Sequence, residues 1–462
     1  LQQMRVEGFF PRLRYDNRFI ESGRLLCDNQ DDRLNLNVRF NNVSPSNSMN
    51  VSAQAYVQND SLEASVNWGN NGVRTYSGRL AALTHFERIE KDRKSALKTT
   101  INVQPSDIVI SDTLWNIQPS TVTFEDGKVA IDDFLIYHED RHLSINGLLS
   151  DSEADSVYLD LKGIDLKYVF DVANLGVNLS GFATGPAVAS NVMKEPKLNA
   201  DLFIESIGFE NGYLGDAQAH LEWHHPVEGL YIDVDITEQE LAKTHVEGYI
   251  YPIKPTSSLD LQIKAEGTNL EFLENILSDI TPELYGRAFG DVRVYGKFKA
   301  LTLDGLAAVD AAMKIDFLNI YINLTDTIQV HPGGLRFVNN RVFDNEGHMG
   351  HANGELNYDH FKNIRYNFDI DIDNMLLLNT KSVVDFPFYG TVYGTGNVNI
   401  SGNPQTGMNI DVAVTTNRNS VFTYIKDYVS TATEDGFIKF VDKTPRRTLQ
   451  DPMPLSEFDL AQ

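Results

Sequence analysis

The chain has 462 residues, of which 42% are hydrophobic and 22% charged, enough for a large core and too apolar for wholesale disorder. With 39 Lys+Arg against 64 Asp+Glu the net charge is −25, which argues against nucleic acid as a partner and against docking on an anionic membrane surface. The single cysteine, Cys27, excludes an intrachain disulfide and a cysteine-built zinc site, and no run approaches the roughly 18 apolar residues of a membrane-spanning helix.

Strict alternation dominates from the first strand onward. Leu34, Leu36, Val38 and Phe40 alternate with polar residues, as do Leu62, Ala64, Val66 and Trp68. The same pattern returns at Leu230–Ile236, Leu259–Ala265, Tyr366–Ile372 and Met408–Val414. Period two puts the apolar residues on one face of a strand and the polar ones on the other. Strands with one dry and one wet face belong to antiparallel sheets, since parallel α/β strands read as continuous apolar runs. Turn signals separate the strands at Asn70-Asn71-Gly72, Asp126-Gly127, Asn211-Gly212, Asn339-Asn340 and Asn403-Pro404.

Helical spacing is scarce. The spacing predicts a helix over Thr268–Leu284, with Thr268 and Glu271 as a capping box and Leu270, Leu273, Leu277 and Ile280 on one face. Weaker candidates are Leu166–Leu175 and Met375–Leu378. These three segments reveal a repeat. Asp165-Leu166, Asn269-Leu270 and Asn374-Met375 each follow an alternating strand, spaced 104 and 105 residues apart. Each precedes a strand ending in glycine: Gly181, Gly296 and Gly402. A second motif, Asp112-Thr113 with Pro119, Phe124 and Val129, recurs at Asp326-Thr327 with Pro332, Phe337 and Val342. Self-similarity at a fixed period signals a repeat architecture.

Two stretches of the second half resemble a known family. Tyr285–Gly296 (YGRAFGDVRVYG) and Phe388–Gly402 (FYGTVYGTGNVNISG) resemble glycine-punctuated strand phrases of the TamB-like translocation and assembly module family. Val122–Val129 (VTFEDGKV) is similar to a repeat unit of the AsmA-like superfamily of bridge-like lipid transfer proteins. The likeness covers about Asp107 to Tyr424. It implies an all-β fold: an elongated, curled antiparallel β-sheet, or β-groove, with a few short helices. It further implies a periplasm-spanning role in a diderm bacterium, moving phospholipid to the outer membrane or supporting outer-membrane protein assembly and protein secretion. An Omp85/TamA-type outer-membrane barrel is the partner this implies, through regions outside this chain. The family's inner-membrane anchor has no counterpart here, so the chain reads as a fragment.

On this reading residues 1–106 form N-terminal groove strands. Residues 107–163, 164–267 (with a short helix) and 268–372 (with the helix at 268–284) form repeats, 373–429 a partial repeat, and 430–462 a poorly ordered linker. About thirty strands at roughly 4.8 Å would make a trough on the order of 140 Å long. Acyl chains inside it would gain roughly 0.8 kcal/mol per buried methylene. The residues expected to face them are Val292, Val294, Phe368, Ile370, Ile372, Val398, Ile400, Ile410, Val412 and Val414. The alternative is a structural β-solenoid or sandwich, an adhesin or scaffold with a filled core.

Catalytic and metal signals are weak, and neither an enzyme nor a cofactor is expected. His138-Glu139-Asp140-Arg141-His142 matches H-E-x-x-H, but that zinc chemistry needs a helix and the flanks alternate as strands. Glu139-Asp140 then sits at a hairpin tip. His224-His225 and the pair His348/His351 lack a third ligand. Asp31-Asp32 and Asp132-Asp133 lack the order of a calcium loop. The Gly394/Gly396 pair precedes no helix, so a dinucleotide site is not expected.

Overall fold

The computed structural model describes residues 3–425, apart from 16–17, 30–32, 45–46, 71, 73–74, 92–93, 173–176, 239–241, 252–257, 279, 360–361, 382–386 and 404. Within them, 28 strands join a single antiparallel sheet. The all-β, groove-like class expected from the alternation is what forms. No helix among the described residues is long and apolar enough to cross a membrane.

The sheet is a meander with two departures. Strands β1 (Arg5–Tyr15) to β7 (Lys94–Val103) pair in chain order. The hairpin of β8 (Ser106–Ile110) and β9 (Thr113–Ile117) is then inserted beside the row: β8 pairs with the start of β6 (Ser77–Lys91), while β10 (Ser120–Glu125) returns to β7. From β11 (Lys128–His138) to β27 (Gly407–Thr416) the order is sequential again. Finally β28 (Val421–Tyr424) turns back onto the first residues of β26 (Phe388–Asn403). Leaving aside β8, β9 and β28, 28 − 3 = 25 strands stand in one row, about 115 Å measured strand to strand.

Because the strands run alternately up and down, their connections fall on two rims. Turns at 210–211, 270–283, 316–319 and 344–348 share the first rim. Turns at 225–228, 298–299 and 332–333 share the second. The inner face differs along its length. Among the described residues the buried apolar set begins at Trp115, whereas Leu34, Val57, Val66 and Leu80 are between 36% and 39% exposed. The trough is therefore open over the first strands and packed farther on.

The three segments of the 104-residue repeat share the first rim but differ in form. The first is an α-helix, α1 (Leu166–Val172); the expected end at Leu175 lies outside the described residues. The second is not the helix predicted over Thr268–Leu284. Strand β19 (Leu259–Asn269) runs through Thr268, a 3-10 turn occupies Glu271–Leu273, and β20 (Leu284–Lys297) starts at Leu284. Thr268 stays in the strand and bonds Thr244 at 2.6 Å, so Asn269 caps instead, its Oδ1 accepting the Glu271 N–H at 3.0 Å. Pro282 disfavours helical backbone just before it, which stops the turns from extending. The third segment, predicted at Met375–Leu378, lies inside β25 (Lys362–Thr380) as a bulge. Asn374 takes φ 53° and turns Met375 inward to 1% exposure.

Two further expectations change. Asn339-Asn340 is not a turn but a bulge within β23 (Gly334–Phe343); the Asn340 amide donates to the Thr327 carbonyl at 2.8 Å. Asp112 lies in the β8–β9 turn, whereas Asp326-Thr327 lies inside β22 (Ile320–His331), so the second sequence motif does not mark equivalent places. Asp31-Asp32 and the 430–462 tail lie outside the described residues.

Candidate functional site

The inner face of the last nine strands lines two adjoining apolar cavities, of about 370 and 240 Å³. Their walls share Ile315, Ile322, Val342, Ile370 and Ile400, so they form one lined space. The larger is bounded by the first-rim turn at Phe317-Leu318 and by Phe388 and Phe422, which stack at 6.0 Å. The smaller is roofed by Leu270, Leu273, Leu277 and Ile280. Among the described lining residues the Tyr366 hydroxyl is the one polar side-chain group.

Strand periodicity and register assemble this lining. Ile370 pairs with Val398, which pairs with Val412; Phe368 pairs with Ile400, which pairs with Ile410. Directly opposed residues on one face touch across an antiparallel pair, so three strands build an apolar row from alternate positions. The outer rows beside them are polar: Asp369 opposes Asn399, which opposes Asp411.

Of the ten residues singled out from sequence, Ile370, Ile372, Val398, Ile400, Ile410, Val412 and Val414 line the larger cavity. Phe368, with Ile370 and Ile400, lines the smaller. Val292 and Val294 are half-buried on the same face of β20 as Leu284 and Ala288, but outside both cavities. Sequence reasoning missed the rim residues Phe317 and Leu318 and the bulge residue Met375. On the wall of the smaller cavity Phe337 and Phe368 meet edge to face at 5.1 Å. Alternation could not find the rim residues, since it describes strands and not turns.

Two polar features flank the lining, and a third lies away from it. Asp344, at the first-rim turn after β23, is 3% exposed and accepts N–H groups from Glu346 and His348 at 2.9 Å and from Leu376 at 2.8 Å. The His348 ring bonds its second oxygen at 2.8 Å. Burial pushes the Asp344 carboxyl up, but these hydrogen bonds outweigh it and hold the group below the usual carboxylate range. At the second rim, burial pushes the Tyr358 hydroxyl up to about 12. On the outer face, His245 bonds Asp235 at 2.9 Å.

The H-E-x-x-H stretch forms a hairpin: β11 ends at His138 and β12 (Arg141–Leu149) begins at Arg141. His138 bonds the Leu114 carbonyl and His142 bonds Asp160, each at 2.8 Å. Among the described residues no group of three His, Cys, Asp or Glu is placed to hold a metal ion.

A single curled sheet with a dry interior and a wet exterior defines the class of β-groove proteins. Residues 340–462 match the family model of the TamB C-terminal domain, and this match supports a TamB-like protein. It covers the larger cavity's wall from Val342 in β23 onward, but not Ile315, Phe317, Leu318, Ile320 and Ile322. No curated protein and no solved structure matches the chain.

Proposed function

We propose that this chain is a non-catalytic groove segment of a TamB-like protein that shields acyl chains of phospholipid from water between two membranes. The observation that carries this reading is the adjoining pair of cavities walled by apolar side chains on the inner face of a continuous sheet. Transfer of a methylene from water to such a wall is favourable by roughly 0.8 kcal/mol, without specific contacts. The mechanism is passive: the lining lowers the cost of passage and the polar outer face keeps the segment in solution. The match to the TamB C-terminal domain supports a periplasmic setting; an outer-membrane barrel as partner is part of the proposal.

The competing reading is a scaffold with a filled interior. It draws on the close packing around Met375, where Val342, Ala352, Ile372 and Val398 are also buried. Lipid extraction and mass analysis of the protein purified from a bacterial envelope separate the two. Co-purifying phospholipid supports the groove; a lipid-free preparation that also fails to bind added oleate supports the scaffold.

A further inference from the structure

The segment Leu270–Glu283 leaves the first rim where β19 ends and returns to that rim where β20 begins. Its middle reaches the opposite side. Ile276, Leu277 and Ile280 pack on Tyr358, Ile364 and Tyr366, which lie beside the second rim. Near its start, Phe272 presses on Gly212 so closely that an added Cβ there would sit 2.3 Å from the Phe272 Cα. The segment thus crosses the mouth of the trough from rim to rim.

Its two feet are held by polar bonds. At the first, Leu270 donates its N–H to the Gly286 carbonyl at 2.9 Å. At the second, the Thr281 hydroxyl, 1% exposed, lies 2.7 Å from the Glu283 carbonyl and 2.9 Å from the Lys314 carbonyl. The Tyr321 hydroxyl and the Lys314 ammonium both donate to the Glu283 carboxylate, at 2.8 and 3.1 Å. The middle is held differently. The N–H groups of Ile276, Leu277 and Ile280 bond within the segment, so these residues meet the sheet through side-chain packing.

We propose that Leu270–Glu283 is an autoinhibitory clasp whose apolar side chains occupy the groove until an acyl chain takes their place. This rests on the groove reading above. The Glu274 carboxylate also accepts the Leu284 N–H at 3.1 Å, a tie that belongs with the second foot; the leucine and isoleucine packing is non-directional, so an acyl chain can replace these side chains against the same wall. The feet stay attached while the middle lifts. A competing intramolecular occupant lowers apparent affinity by the fraction of molecules in which the site is free.

The test uses the full chain with Cys27→Ser, a nitroxide label on Asn275→Cys at the exposed side of the clasp, and oleate as the probe. The label should become more mobile over the same oleate concentrations at which binding occurs. Binding with an unchanged label spectrum overturns the clasp. Separately, Leu273→Ser with Leu277→Ser should bind oleate about tenfold more tightly than the parent. Equal or weaker binding by that variant, while the parent binds, overturns the clasp and leaves the groove standing. Failure of both proteins to bind oleate overturns the groove reading, and the clasp with it.

Discussion

The carboxylate of Asp344 accepts the backbone N–H of Leu376 at 2.8 Å, joining a rim turn to a strand 32 residues farther on. This bond fixes the direction of β25 after its bulge. Beyond it Leu376 packs against Ile315 and Ile320, and the Asn319 amide donates to the Asn379 carbonyl at 2.7 Å. The curl of the groove at this point therefore hangs on one buried carboxylate. Asp344→Asn replaces one acceptor oxygen by a donor and leaves N–H groups unmatched. It should lower unfolding stability by about 2–3 kcal/mol, measured by urea denaturation at pH 7.

The same carboxylate predicts a pH dependence. Its native pKa lies below the unfolded value, so the unfolded chain binds the proton more readily. The contribution is present in full above the unfolded value, around pH 4, and is lost as pH falls through the lowered native value. The stability gap between parent and Asp344→Asn should be constant from pH 7 to about 5 and close below about 4. A gap that persists undiminished well below pH 3 contradicts this account.

His245 behaves in the opposite sense. Its hydrogen bond to Asp235 raises its pKa, partial burial opposes this, and the charges of Asp235, Asp233 and Glu247 add to the rise. A raised native pKa gives stability that is present below the unfolded value, about 6.5, and lost as pH rises through the native value. At 35% side-chain exposure the effect on stability is small. The site-specific titration is the sharper readout: proton NMR should place the His245 midpoint above the usual histidine value, and Asp235→Asn should bring it down.

The sheet was legible in the sequence because each strand states its own facing. Leu230, Ile232, Val234 and Ile236 alternate with polar residues, and Ile232 and Ile236 are buried. The polar–apolar register of Tyr366–Ile372, Val398–Ile400 and Met408–Val414 puts eight of the ten chosen residues on the cavity walls. What was hidden depends on contacts between distant residues. Leu270, Leu273, Leu277 and Ile280 keep one side whether their backbone is helical or a chain of turns, so spacing alone could not separate the two. Nothing in the short stretches Ser106–Ile110 and Thr113–Ile117 marks them as an insertion, and only pairing reveals that they leave the row. The turn at 344–348 was not among the expected ones, and nothing local announces that the Asp344 carboxylate reaches Leu376.

The glycines of the family-like phrases have a steric cause. Gly396 sits between Ile372 and Val414 with φ 152°, and a Cβ there would lie 2.3 Å from the Ala413 carbonyl oxygen. The neighbouring strand can approach this closely only because the side chain is missing. Gly396→Ala should therefore destabilise by about 2 kcal/mol or more, through strain and displaced pairing. The urea midpoint reports it, and amide exchange should rise first at the β26–β27 pair. An unchanged midpoint would show that the strand can shift freely at this point.

Two positions on the same wall separate folding from binding. Ile372 is 6% exposed within a packed cluster, whereas Val412 lines the larger cavity from the outermost long strand and is 56% exposed. Ile372→Asp places an unpaired carboxyl in the core and should cost more than about 4 kcal/mol, unfolding this region before any effect on binding can be read. Val412→Asp keeps the carboxyl in contact with water, so its stability should stay within about 1 kcal/mol of the parent. It nevertheless sets a charge at the mouth of the apolar wall, where an acyl chain would have to displace that charge's water. Oleate affinity should fall at least about tenfold with the urea midpoint nearly unchanged. If Val412→Asp binds oleate as the parent does, the cavity it lines is not where the acyl chain lies.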